Sequence, residues 1–412
     1  MSAPVQPADE GSHPHGVPAN RMAEFLAFFK SMRNFKGDLS KVSAPIFILG
    51  PTSLTEYASY WCEQPSLFIA PANQETQDLR ALAVLKWYLC TLRGQYGRRE
   101  GIGPPVAGPP GGRKGPGRKK PLNPILGEIF KGHWDSNNGT GKTELVAEQV
   151  SHQPPVTAYH ISNTQHQIRL EGYHLQKTIF RGMPQIERIG HVMLSLDKYH
   201  ESYVMTMPDM HLVGLIPPPP YPELVGTTFI VGTNGLAAEI EFSGRGWIRG
   251  KKNSFRAKLF RQRKPKEVLY RVEGQWQGGA FNVFDASGSK LEEFKTADQD
   301  EIIPISVLPI SEQSPVESRR VWQHVADGII KGDLTTAGKE KQRLEEEQRA
   351  LRVKENTSGE KWELSYFRTA DDWKEAGGLL KSVGLKMVSD ETQGIWRWIG
   401  DGELERVAGG GE

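Results

Sequence analysis

The chain has 412 residues and two cysteines, and its 51 basic and 49 acidic side chains leave a formal charge of only +2. That length can bury a large core in one domain or two, while the balanced charge argues against a general nucleic-acid binder, which carries a clear basic excess. Cys62 and Cys90 show no metal or redox spacing, the start lacks a basic-then-apolar leader, and no apolar run approaches the roughly 18 residues of a membrane span. The expectation is an intracellular, reducing compartment, peripheral membrane contact at most, and no cofactor or metal.

Residues 1–19 carry Pro, Gly and His and read as a disordered leader. Asn20 is a suitable N-cap for a helix over 21–36, stopped at Gly37. Its apolar residues Met22, Phe25, Leu26, Phe29 and Met32 fall on one stripe. Such a helix is either an ordinary docking element or, over 20–40, an amphipathic lid that also touches lipid. A short apolar segment, 43–49, precedes a predicted helix over 54–68 that stops near Pro65. The helix predicted over 76–96 has a broad apolar face. Residues 97–119 are rich in Gly, Pro, Arg and Lys and read as a flexible surface loop.

From 125 to 310 the pattern changes to short alternating runs separated by turn residues. They include 145–150, 156–161, 167–173, 191–196, 203–207, 228–231, 238–242, 254–260 and 268–276, and they suit an antiparallel meander. So many strands require protected edges, which a barrel or curled sheet supplies. Pro217 to Pro220 form a rigid connector. After Ser314 the chain turns helical: Val321, Trp322, Val325, Ile329 and Ile330 make one face, and 338–355 is a highly charged helix. Trp362, Leu364, Tyr366 and Phe367 are spaced to dock a segment onto the barrel, and residues 311–412 form a C-terminal region around it.

Signals for enzyme chemistry fail on inspection. Gly139-Thr140-Gly141-Lys142-Thr143 lacks the earlier glycine of a phosphate loop, since position 136 is serine, and it lies between strands. Ser151 and His152 are neighbours on a strand, so they point to opposite faces and are badly placed to share a proton. Two features stand out instead. Glu148-Gln149-Val150-Ser151-His152-Gln153-Pro154-Pro155 holds a polar cluster against two prolines, which restrict the backbone before them. Lys341, Glu345 and Arg349 share one helix face. That face is either a solvated surface or a basic fork for phosphate, with Arg349 bidentate and Lys341 a point charge. Lys120, before Pro121-Leu122-Asn123-Pro124, is a further cation beside two prolines.

These stretches together resemble the oxysterol-binding-protein-related lipid-transfer family. Glu148–Pro155 is similar to its signature Glu-Gln-Val-Ser-His-His-Pro-Pro, Lys120–Glu128 to its second hallmark, and Lys341–Arg349 to its third. Phe35–Ser40, Gly250–Phe255 and Gly274–Trp276 agree in order, and the resemblance, of the short single-domain fungal type, runs from about residue 20 to 370. It implies an α+β fold dominated by β: a large, incompletely closed antiparallel barrel around an apolar lipid tunnel, with a lid helix and a C-terminal helical region. It further implies a monomeric carrier, not an enzyme, in the cytoplasm and peripherally on Golgi or endoplasmic reticulum membranes. Such a carrier exchanges sterol for phosphatidylinositol 4-phosphate; the alternative is a sensor or adaptor gated by the same lipids. Carried over by motif, the headgroup residues are Lys120, Asn123, His152, Gln153, Lys341, Glu345 and Arg349. The sterol set is Trp61, Gln95, Tyr96, His174 and Arg188. The chain departs from the family at Gln153, where the signature has its second histidine. It departs again at His174 and Arg188, which stand where an asparagine and a glutamine are expected.

Overall fold

A computed structural model describes residues 45–97, 119–136, 138–214, 221–244, 250–295, 302–359 and 362–400. The expected lid with Met22, Phe25, Leu26, Phe29 and Met32, nearly all of the basic loop, and Pro217 to Pro220 lie outside the described residues. After a 3-10 turn at Ile46–Ile48, strand β1 (Leu49–Ser53) leads into a 3-10 helix at Leu54–Trp61. Ser53 caps that helix, and Glu56 accepts the Ser53 backbone N–H at 3.4 Å, the reciprocal arrangement of a capping box. Here the prediction needs correction. The segment 54–68 is not one helix that ends near Pro65; Pro65 instead occupies the first position of a second short helix, α1 (Pro65–Ile69). Proline is favoured there because its missing N–H needs no partner.

Helix α2 (Gln77–Tyr96) agrees with its prediction, and the Thr76 hydroxyl caps it by accepting from the Leu79 N–H at 3.3 Å. Strand β2 (Lys120–Leu122) returns beside β1 in parallel, with Leu49 opposite Lys120 and Ser53 opposite Leu122. Thirteen strands then form one sheet: β3 (Ile129–Trp134), β4 (Thr143–His152), β5 (Pro155–Asn163), β6 (Ile168–Phe180), β7 (Pro184–Leu196), β8 (Glu201–Met205), β9 (Asp209–Val213), β10 (Tyr221–Gly232), β11 (Leu236–Ser243), β12 (Ser254–Arg261), β13 (Lys264–Gln275), β14 (Ala280–Asp285) and β15 (Lys290–Lys295). Neighbours pair antiparallel in sequence order, except that β9 fits between β7 and β10 beyond the end of β8. Of the Gly139–Thr143 stretch, residues 139–142 lie in the β3–β4 turn and Thr143 opens β4.

The sheet curls. One continuous apolar cluster contains Phe130 and Trp134 of β3, at one end of the strand order, and Phe294 of β15, at the other. Trp61, Trp87, Tyr88 and the apolar side of α2 lie in that same cluster, so helix α2 sits against the concave face. The end strands β3 and β15 do not pair with each other, and the barrel is therefore open. The free edge of β3 is covered by later chain: Ile129 N–H donates to the Val316 carbonyl at 3.0 Å, and His133 and Ser306 exchange two bonds at 2.8 and 2.9 Å. Arg80 ties α2 to β8 with two bonds to the Glu201 carboxylate, 3.0 and 2.6 Å long.

The C-terminal region contains α3 (Ser318–Val321), α4 (Gln323–Lys331), α5 (Leu334–Ser358) and α6 (Lys374–Ser382), but it is not purely helical. Strands β16 (Phe367–Ala370) and β17 (Ile395–Trp398) make a small antiparallel sheet. With α6 they cover the convex face of β5–β8, where Phe367, Trp373, Leu380 and Ile395 pack on Val156, Ala158, Tyr173 and Val204. Trp362, expected to dock, is 40% exposed; its indole lies across Gly127. Among the described residues no helix is long and apolar enough to cross a membrane.

Candidate functional site

The seven headgroup residues expected from three distant stretches line one cavity of about 590 Å³. Its floor is a small apolar cluster of Leu49, Leu122, Trp322, Val325 and Leu344, which joins β1, β2, α4 and α5. Helix α5 docks through Ala337 and Leu344, two turns apart, so the side chains around that stripe face the cavity. Lys341, 14% exposed, holds the Glu345 carboxylate at 2.5 Å, and Arg349 follows one turn later.

A buried carboxylate positions Lys120 and Asn123. Glu128 is fully buried and accepts from the Ser53 hydroxyl, the Thr55 hydroxyl (2.9 Å), the Ile125 N–H (3.1 Å) and the Trp322 indole N–H (2.8 Å). These bonds fasten the turn after Asn123 to the first strand and to the C-terminal helices. Gly127, in that turn, has φ +72°, and a Cβ there would collide with Trp362. Glu148 does the same for the signature stretch: it is fully buried and accepts the Ser365 and Tyr366 N–H groups at 2.8 and 2.9 Å. Neither glutamate lines the cavity. Both bind segments together, a role that residue type and spacing alone did not reveal.

Within the signature, side chains divide by face. Gln149 accepts from the Thr157 hydroxyl (2.6 Å) and donates to the Ser151 carbonyl (2.9 Å). The Ser151 hydroxyl donates to the Pro154 carbonyl (2.7 Å) and toward Gln393 Oε1 (3.1 Å), so it is engaged away from His152. His152 Nδ1 lies 3.2 Å from the Pro124 carbonyl. A carbonyl only accepts, so Nδ1 carries the proton and Nε2 of the neutral ring is a lone pair. Burial holds the His152 pKa below its ordinary value, Arg352 adds to that, and the Pro124 bond and Glu345 oppose it. Gln153 is exposed at the rim, where its carbonyl accepts from the Gln393 amide at 2.8 Å.

The cavity contains more than the motifs indicated. Lys177, Gln348, Arg352 and Glu391 also line it. Arg352 extends the series Lys341, Glu345, Arg349 by one further turn and could have been found by continuing the spacing. Lys177 could not: it lies at the far end of β6, paired with Glu391 at 3.1 Å, and only the fold brings both to the rim. Five cations against two carboxylates leave the cavity with three excess positive charges, a suitable setting for a phosphomonoester.

The five expected sterol residues form a separate group on the concave face. Arg188 donates from Nη1 to Gln95 Oε1 at 2.5 Å and from Nη2 to His174 Nε2 at 3.2 Å, and its guanidinium lies 4.9 Å from the Tyr96 ring centre. The Tyr96 hydroxyl donates to the Pro208 carbonyl at 3.0 Å. Trp61 joins through Tyr159, whose ring stacks on it at 6.3 Å and meets His174 edge-on at 5.6 Å. Burial, and then Arg188, push the His174 pKa well below its ordinary value, so this histidine is neutral.

An open antiparallel barrel thus carries a basic, anion-suited cavity built from three distant stretches. The oxysterol-binding protein family matches residues 27–328, and the chain belongs to that family. It is 41% identical to Protein kes1 of Schizosaccharomyces pombe over 380 residues, 91% of this chain and 93% of that one. Its fold is similar to the Osh1 ORD domain crystallised with ergosterol (TM-score 0.68, 18% identity, 98% of this chain and 93% of the other). It is also similar to the Osh3 ORD from Saccharomyces cerevisiae crystallised with PI(4)P (TM-score 0.65, 18% identity, 98% and 97%).

Proposed function

We propose that this protein holds one lipid at a time and exchanges a sterol for phosphatidylinositol 4-phosphate between membranes, breaking no bond. The observation that carries the reading is the convergence of Lys120, Asn123, His152, Gln153, Lys341, Glu345 and Arg349 on one cavity from three separated stretches. In this reading Arg349 and Lys341 bind phosphate oxygens, Glu345 accepts an inositol hydroxyl, and Lys120 and Asn123 contact the rest of the headgroup. The barrel interior takes the apolar part, with Trp61, Gln95, Tyr96, His174 and Arg188 at its polar patch. The stripe from Met22 to Met32 covers the opening when closed and touches membrane when open. The protein works as a monomer in the cytoplasm, peripherally on Golgi or endoplasmic reticulum membranes. Residues 20–40 form the lid, 41–310 the lipid-binding core and 311–412 the packed C-terminal region.

The double variant Lys341→Glu/Arg349→Glu tests the headgroup assignment. It is expected to abolish extraction of phosphatidylinositol 4-phosphate from vesicles while leaving sterol binding in place. Undiminished phosphoinositide extraction in that variant rejects the assignment.

A further inference from the structure

The polar patch on the concave face contains donors that the protein itself does not satisfy. Arg188 is 6% exposed, His174 2% and Tyr159 0%. Among the described residues, Arg188 Nε, His174 Nδ1 and the Tyr159 hydroxyl make no hydrogen bond. The His174 tautomer follows from its neighbour. Guanidinium only donates, so Nε2 is the acceptor and the proton is on Nδ1, the unpartnered nitrogen. The three groups are contiguous: His174 touches Arg188 through Nε2 and Tyr159 through its ring edge.

Charge adds a second observation. Among the described residues Arg188 forms no ion pair. Its side chain bonds an amide oxygen and an imidazole nitrogen, and the carboxylate that it does touch, Asp209, accepts the Arg188 backbone N–H at 3.3 Å rather than the guanidinium. A buried permanent cation without an anion is costly, and a buried N–H without an acceptor adds to that cost. His174 Nε2 has one lone pair and Arg188 occupies it, while Gln95 Oε1 and the Tyr159 oxygen are neutral acceptors that bring no charge to offset the guanidinium. What remains is two N–H donors and a tyrosine hydroxyl beside an uncompensated positive charge. A neutral hydroxyl can bond this patch but leaves the guanidinium without a counter-charge; a carboxylate or sulfate brings acceptors for both N–H groups and the missing negative charge.

We infer that Arg188, His174 and Tyr159 select an amphipath whose buried end carries an anionic oxygen group, a carboxylate or sulfate, over the same amphipath ending in a neutral hydroxyl. The inference rests on the reading of the barrel interior as the lipid site, and it sharpens the class of the second ligand. This patch is distinct from the headgroup cavity, since none of the three residues lines that cavity.

A matched pair of probes tests it. The full chain is incubated with phosphatidylcholine vesicles containing equal amounts of cholesterol and cholesterol sulfate, re-isolated, and its bound lipid quantified by mass spectrometry. The sulfate-to-cholesterol loading ratio is expected to be about tenfold higher for the unaltered protein than for Arg188→Gln. Comparing the two proteins removes the probes' own difference in membrane partition. Tyr159→Phe, which keeps the ring and removes only the unpartnered hydroxyl, is expected to lower the ratio a few-fold, so the test does not depend on one variant folding. Equal ratios in the unaltered protein and both variants overturn the inference. So does a preference for the sulfate that disappears in Lys341→Glu/Arg349→Glu but not in Arg188→Gln, because the anion is then read in the headgroup cavity. Loading of neither sterol overturns the inference together with the sterol half of the proposed exchange. An Arg188-dependent ratio without transfer between vesicles supports the inference and rejects the exchange.

Discussion

His152 can donate from only one nitrogen while it is neutral, and that proton is committed to the Pro124 carbonyl. A phosphate dianion facing Nε2 therefore gains a bond from this ring only when the imidazole takes up a second proton. Burial and Arg352 hold the free-state pKa below its ordinary value, whereas a bound dianion raises it. Between those two values binding is coupled to proton uptake, so phosphoinositide affinity should rise as pH falls from the bound-state value toward the lowered free-state one. Below about 6 the phosphomonoester itself protonates and the gain fades. Binding isotherms across that range are expected to show the rise in the unaltered protein and a flat profile in His152→Asn; a rise of equal size in both disproves the proton coupling. Its neighbour Gln153 can donate from its amide but never carry charge, and charge-assisted bonds are roughly twice as strong as neutral ones. Gln153→His is thus expected to tighten phosphoinositide binding roughly three- to tenfold, one good bond's worth. An unchanged or weaker affinity contradicts the placement of position 153 against the phosphate.

Helix α5 shows how far the elements could be read from the sequence. Its charged spacing predicted a shared face for Lys341, Glu345 and Arg349, and that was sound, because an i, i+4 series is a local property. Which way the face points was not local. It depends on Leu344 packing with Leu49, Leu122 and Trp322 and on Ala337 lying against Gly328 of α4, partners that all lie outside α5. The same limit explains the error at Pro65, where a residue that usually ends helices instead starts one. It also explains why β16 and β17 were missed: four-residue strands carry too little alternation to register. Their role can be tested through pH. His160 stacks on Trp398 of β17, ring centres 4.4 Å apart, and His191 accepts the Val388 N–H at 3.2 Å. Burial pushes each pKa down to about 4 from 6.5. Between those values the unfolded chain binds protons that the folded one does not, so this stabilisation is complete above pH 6.5 and is lost as pH falls toward 4. Melting temperature should decline across that interval, with amide exchange rising first in residues 367–398. Loss of protection elsewhere before that segment contradicts the attribution.

For the whole molecule, the curled sheet was legible because thirteen strands cannot leave their edges bare; β9 beside both β7 and β10, and the cover on β3, were not. The energetics of the proposed lipid site follow from the apolar residues of the concave face. Burying several hundred Å² of lipid carbon at about 25 cal/mol per Å² is worth on the order of 10 kcal/mol against water. A bilayer offers the same lipid about as much, so loading is near balance and is decided by the polar contacts. That balance suits a carrier; a sensor for the same lipids would hold its ligand and release little. Transfer between two vesicle populations separates the two. A fluorescent sterol in donor vesicles should move to acceptor vesicles several-fold faster when the acceptors contain phosphatidylinositol 4-phosphate, and Lys341→Glu/Arg349→Glu should remove that acceleration. Tight binding of both lipids with no acceleration in the unaltered protein contradicts exchange.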